Sequence, residues 1–314
     1  MKDGAHPKHL HGSMEWNGSK DRHCFSKLWY LIHHSPREDD MAADAEDAGM
    51  EAYFAGRKLY GNDFSQDQID AWFADEADGY FNMTQSGDGD YAYGYHALNK
   101  WHGYSAFRKR RFVHVLSIGA AYGDELEPIL AHSDRISILE PSDGFKSSVL
   151  NGVPVSYVKP VASGDMPFDS NSFDLVTCLG VLHHIPNVSK VVEEFYRVLK
   201  PGGYALVREP IISMGDWRKP RMGLTRHERG IPLPLLRGFV KEAGFNVVRE
   251  RKCMFSLTSK LKHVVSGSVF NHASVVVLDA LLSALPIWPK VYHARSALHK
   301  LRPRAVYYVL KKPE

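Results

Sequence analysis

Residues 113–123 read VHVLSIGAAYG and run directly into Asp124. No other stretch restricts the fold as much, because an apolar strand, a glycine turn and an acidic helix start follow one another without a spare residue. A second apolar run at 136–139 ends on an acid, Glu140. In an open α/β sheet that pairing forms a nucleoside grip. Gly119 and Gly123 let the backbone turn and approach a ligand where a Cβ would collide, and a carboxylate at the tip of the next strand can accept both ribose hydroxyl protons.

What the loop lacks narrows the ligand. A dinucleotide loop needs G-x-G-x-x-G to admit a pyrophosphate, whereas residues 119–123 read GAAYG, without the middle glycine. No G-x-x-x-x-G-K-[ST] loop occurs in the chain. Asp124 at the helix start would repel a phosphate from the amides that otherwise attract one. A nucleoside carrying an amino-acid tail and no phosphate fits this loop better.

Further blocks follow in order: DMPF at 165–168, NSFDLV at 171–176, LHHIP at 182–186 and RVLKPGG at 197–203. Together with the glycine loop they resemble the class I S-adenosylmethionine-dependent methyltransferases, in their broad small-molecule (methyltransferase type 11-like) subfamily. The resemblance covers roughly residues 112–210. It implies an α/β fold: a Rossmann-like, seven-stranded, mostly parallel sheet with an antiparallel last strand, helices on both faces and an N-terminal helical cap. Alternating periodicity puts strands near 112–118, 136–140, 154–158, 173–179, 204–209, 245–252 and 305–312, and helices near 124–132, 143–150, 188–199 and 232–243. The cofactor implied is S-adenosyl-L-methionine. Its expected contacts are Gly119, Ala121 and Gly123 around the methionine moiety, Glu140 on the ribose, Pro141 beside the adenine and Leu179 just beyond the fourth strand. Relatives often carry an acid four residues before their Leu-Pro-Phe element, and Ala162 fills that slot here. Asp165, three positions on, either reaches the adenine amino group or caps the following turn. Backbone groups at Ala162 offer a second adenine contact.

Methyl transfer to a hydroxyl needs a group that removes its proton, and imidazole is the side chain best matched to that task near neutral pH. In sugar and natural-product O-methyltransferases with the same motif, the first histidine of the pair serves as base beside an acid after the fifth strand. Those positions fall on His183 and Glu209. The pair also suits packing and loop hydrogen bonding. His184 is a candidate substrate contact. Five basic and two acidic residues occupy 216–229, and guanidinium forks there suit a carboxylate or phosphate. Arg218 and Arg226 are therefore candidate contacts for an anionic acceptor, against a reading in which the loop's charges pair locally. The function expected is O-methylation of a small or glycan-like anionic acceptor. Methylation of nitrogen or carbon, a lipid-linked acceptor, and a non-catalytic cofactor-binding scaffold stay open.

Length and composition set the frame. The chain has 314 residues, 44% of them hydrophobic, enough for one sheet domain with additions. Residues 1–49 are expected to be a disordered polar tail, 50–111 the helical cap, and 112–314 the methyltransferase domain with an apolar insertion at about 258–300. The tail's irregularly spaced histidines form no metal motif, and no metal site is expected. Cys24, Cys178 and Cys253 show neither metal nor redox spacing, which suits a reducing compartment. The N-terminus lacks the apolar run of a signal peptide, so a cytoplasmic location is expected. A net charge of +3 demands no nucleic-acid partner, and none is expected. Residues 264–289 are too interrupted to span a bilayer. They are expected to form a hairpin over the substrate cleft or a homodimer interface, or to touch a membrane peripherally.

Overall fold

The computed structural model describes residues 49–85 and 93–314. Residues 1–48 of the expected 1–49 tail, with its histidines, lie outside the described residues. Residues 51–314 hold an eight-stranded sheet: β1 (Phe112–Ile118), β2 (Ser133–Leu139), β3 (Val149–Leu150), β4 (Val153–Val158), β5 (Phe173–Leu179), β6 (Leu199–Pro210), β7 (Asn246–Phe255) and β8 (Pro303–Lys311). The spatial order is β3-β4-β2-β1-β5-β6-β8-β7. β1 pairs in parallel with β2 and β5, while β8 enters antiparallel between β6 and β7. This is the architecture the motifs implied.

Alternation along the strands builds two apolar layers. Leu116, Val176, Val207 and Val306 face one side of the sheet, where helices α3 (Val188–Val198) and α4 (Leu233–Glu242) cover them. In α3 the buried residues Val188, Val191, Val192, Phe195 and Val198 recur at helical spacing, so one stripe meets the sheet. Val115, Ile136, Leu175 and Tyr307 face the other side, against α2 (His96–His102) and α5 (Ala273–Ala284). α1 (Gln66–Gln85) starts on a capping box. The Ser65 amide donates to Gln68 Oε1 at 3.0 Å, and the Gln68 amide to Ser65 Oγ at 3.5 Å.

The helix expected near 124–132 forms as a 3-10 helix, Asp124–His132, with Pro128 inside it. Two expectations are corrected. No helix forms over 143–150. There Val149–Leu150 pairs antiparallel with Pro154 and Val153 across Asn151-Gly152, both at positive φ. Asn-Gly between apolar residues is a hairpin signal, and it adds the eighth strand. The insertion forms α5 rather than a hairpin, and α5 packs on β7. Asp279 accepts from the Met254 and Phe255 amides at 2.9 and 2.6 Å and ties the helix to the strand end. No helix among the described residues is long and apolar enough to cross a membrane.

Candidate active site

The carboxyl ends of β1, β2, β5 and β6 converge where the strand order reverses, the place such sheets reserve for ligands. After β1 the chain turns at Gly119, with φ +61°, where a Cβ would meet Val181 at 2.9 Å. Ala121 also stands at positive φ, 49°. Its amide donates to Glu140 Oε2 at 3.2 Å, and the Ser142 amide donates to Oε1 at 3.0 Å. The glycine loop and the acid after β2 are thereby fastened to each other. Glu140 is 2% exposed, and burial raises its pKa against the lowering by these two hydrogen bonds. Gly123, φ +82°, lies against Leu150, which a Cβ would strike at 2.4 Å. It shapes the turn and reaches neither cavity.

Two cavities meet at Gly119 and Gly180. The smaller, about 150 Å³, is an apolar slot walled by Leu139, Pro141, Ala162 and Met166, with Glu140 at its edge. The larger, about 1240 Å³, continues past Ala121 and Leu179 toward His183. An apolar slot, a buried carboxylate and a glycine-lined junction suit a purine, a ribose and an extended tail in that order. The residues present therefore fit S-adenosylmethionine. Asp165 edges the slot, but its carboxylate is engaged by Lys190 at 2.9 Å and by the Ser163 hydroxyl at 2.8 Å.

The catalytic candidates are brought together. Glu209, fully buried at the end of β6, accepts from the Val181 and Leu182 amides at 2.9 and 2.8 Å and lies 2.8 Å from His183 Nδ1. His183 Nε2 lies 3.5 Å from Glu228, whose own carboxylate accepts the Thr225 amide. Burial alone would lower the His183 pKa, but the two carboxylates overcome it and push it up to about 9. The imidazole is thus an imidazolium at neutral pH, which a sequence reading of His183 as a ready base did not anticipate. His184 is placed differently from expectation. It lines the slot side rather than the larger cavity, with Nδ1 2.8 Å from Glu76.

Arg218 and Arg226 line neither cavity. Arg218 pairs with Asp216 and Arg226 with Asp75, at 3.0 and 3.1 Å, so the expected anion contacts are engaged within their own neighbourhood. Other cations stand at the larger cavity instead: Lys260, Lys262, Lys300 and Arg304 are exposed on its wall and have no carboxylate partner within 4 Å among the described residues. Deeper in, Arg208 is buried. It donates to Asn99 Oδ1 and to the Leu179 carbonyl, both at 2.9 Å, and its guanidinium lies over the Tyr95 ring. Glu125, also on this wall, accepts from Ser117 Oγ at 2.7 Å, and burial pushes its pKa up to about 7. Sequence reasoning missed Glu125, Arg208 and Glu228. Arg208 directly precedes Glu209 at the β6 end, and Glu125 lies two positions past Gly123, so adjacency to the motifs was the available signal.

Residues 116–207 match the family model described as Methyltransferase domain. The chain is 27% identical over 194 residues to 24-methylenesterol C-methyltransferase 3 of Arabidopsis thaliana, covering 53% of this chain and 52% of that protein. It is 36% identical over 95 residues to a ubiquinone biosynthesis O-methyltransferase of Shewanella pealeana, covering 29% and 40% respectively. The chain thus spans about half or less of the length of these relatives. Among solved structures, an S-adenosylmethionine-dependent methyltransferase from Mesorhizobium loti superposes with a TM-score of 0.45 at 13% identity, covering 68% of this chain and 97% of that one. With the glycine loop locked to Glu140, the strand order and the domain match in hand, the chain carries a methyltransferase domain over residues 116–207 and is similar to S-adenosylmethionine-dependent methyltransferases.

Proposed function

We propose that the chain transfers a methyl group from S-adenosylmethionine to a hydroxyl of an anionic small or glycan-like acceptor held in the larger cavity. The observation that carries this reading is the buried His183 imidazole between Glu209 and Glu228 on the wall of a cavity that also bears four exposed cations. Glu140 would hold the ribose hydroxyls, and the slot beside Pro141 and Ala162 the adenine. Gly119, Ala121 and Leu179 would border the amino-acid tail, whose carboxylate Arg208 is placed to meet. When bound, the cofactor supplies an electrophilic methyl group. Glu209 takes the Nδ1 proton in its hydrogen bond, which leaves Nε2 as the atom to receive the acceptor's proton.

The raised His183 pKa sets the pH dependence. Only neutral imidazole accepts a proton, and a group titrating at about 9 is about 1% neutral at pH 7. The kcat/KM should therefore climb about tenfold per pH unit and level off near pH 9. Glu228→Gln removes one of the two carboxylates that raise this pKa, so the climb should end at lower pH. The test is transfer from radiolabelled S-adenosylmethionine to uronic acids and phosphosugars, each beside its neutral counterpart, with wild type and His183→Ala. Labelling of the anionic acceptors is expected. His183→Ala should lose about 10²- to 10⁴-fold in kcat with S-adenosylhomocysteine binding intact. Equal labelling of the neutral sugars would overturn the acceptor class, and unchanged turnover would remove His183 from the proton transfer.

A further inference from the structure

Residues 256–302 differ electrically from the rest of the chain. They hold six Lys and Arg against one acid, Asp279, so this segment carries +5 in a chain whose whole net charge is +3. The acid is buried under the Met254 and Phe255 amides and the Thr258 hydroxyl, and offers nothing to the surface.

Helix α5 reads ASVVVLDALLSA. Val275, Val276, Asp279 and Ser283 form its buried face. The opposite face presents Val277, Leu278 and Leu281 at helical spacing and runs on into Leu285 and Ile287, with Leu281 65% and Ile287 71% exposed. After the helix the Trp288 indole donates to the Leu282 carbonyl at 2.6 Å, which folds the segment carrying Ile287 and Lys290 back against α5. The turn Thr258–His263 is fastened to α5 through Thr258 and Asp279, and it brings Lys260 and Lys262 to the wall of the larger cavity. A helix whose outer face meets water normally carries charged side chains there. The outer face of α5 has none.

We propose that this face docks on an anionic lipid surface. The apolar stripe from Leu278 to Ile287 enters the headgroup boundary, and Lys260, Lys262 and Lys290 meet lipid phosphates. Twelve residues of helix extend only about 18 Å, short of the roughly 30 Å of a hydrocarbon core, so α5 lies along the interface instead of crossing it. Charge selects lipid over a second copy of the chain. Two such faces together would bring the lysines of both copies, Lys260, Lys262 and Lys290, into one interface, whereas anionic headgroups neutralise both the lysines and the rim of the cavity they border. The larger cavity then opens beside the lipid surface. This inference shares Lys260 and Lys262 with the acceptor cavity, but the apolar stripe and Lys290 lie outside that cavity, so its test needs no acceptor.

The experiment is co-sedimentation of the whole chain with phosphatidylcholine vesicles, with and without phosphatidylglycerol. Binding to the phosphatidylglycerol vesicles is expected. Leu281→Asp/Ile287→Asp should weaken it at least about tenfold, Lys290→Glu should weaken it about fivefold, and added salt should reduce it. Both variants should keep wild-type affinity for S-adenosylhomocysteine, which shows that they are folded, and should keep transfer to any soluble acceptor. Absence of binding by wild type, or equal binding by the double aspartate variant, would overturn the proposal. So would a dimer in analytical ultracentrifugation that the double variant dissociates, because a second copy would then own the face.

Discussion

Two groups of cations lie close to the same cavity and are used in opposite ways. Arg221 and Arg229, in the loop after β6, point inward and spend their guanidinium protons on main-chain carbonyls. Arg229 alone reaches those of Tyr60, Leu182, His183, Ile185 and Pro186, and so fixes the turn that bears both histidines. Arg221 does the same for Met214, Thr225, Arg226 and Glu228. Among the described residues Lys260, Lys262, Lys300 and Arg304 make no such contacts and keep their charge for solvent or ligand. A cation surrounded by carbonyl oxygens is an architectural part, however basic its neighbourhood looks. One that borders a cavity without a carboxylate partner is available for recognition.

That contrast can be broken at either end. Removing Arg229 as Arg229→Met leaves the Tyr60 and Ile185 carbonyls without their donor, takes a second donor from those of Leu182, His183 and Pro186, and should cost about 2–4 kcal/mol in urea unfolding. A loss under about 1 kcal/mol would mean that Arg229 is not the fastening described. At the rim, Lys260→Glu/Lys300→Glu should raise KM for an anionic acceptor about tenfold, an effect that fades with salt, while stability stays within about 0.5 kcal/mol. Neutral acceptors should not respond. The smallest change is expected of Arg218→Ala and Arg226→Ala, each below about 1 kcal/mol in stability and below about twofold in KM, since their partners Asp216 and Asp75 are at the surface. A tenfold KM rise in either variant would return these arginines to the acceptor site and erase the distinction.

The junction of the glycine loop with Glu140 was legible because its signals are local. Gly119, Glu140 and the β5 and β6 blocks lie at fixed steps along strands whose period the sequence displays, and the sheet order follows from their alternation with helices. Partnership across the fold was not legible. Glu228 reaches His183 from 45 positions away, and Glu76 reaches His184 from a helix 108 positions upstream. Neither meeting leaves a periodicity to read. For the same reason the surplus of arginine over 216–229 looked like an anion site. Whether a guanidinium finds a carbonyl or a cavity depends on tertiary contacts that composition does not encode. The hairpin at Val149 was missed differently: Asn151-Gly152 carried the signal, but a helix was expected across the residues before it.

The placement of β8 has a consequence for how the chain acquires its shape. Among the described residues β7 pairs only with β8, and β8 separates it from β6. During synthesis β6 and β7 are both complete while the strand that joins them is still unmade. Until Pro303–Lys311 emerges, β6 has one open edge and β7 has no partner in the sheet. The parallel half, with the glycine loop and Glu140, can assemble earlier, so cofactor available to a nascent chain would stabilise that half first. The last step of folding would then be the threading of a strand into a waiting slot, a closure made of contacts distant in sequence and correspondingly slow.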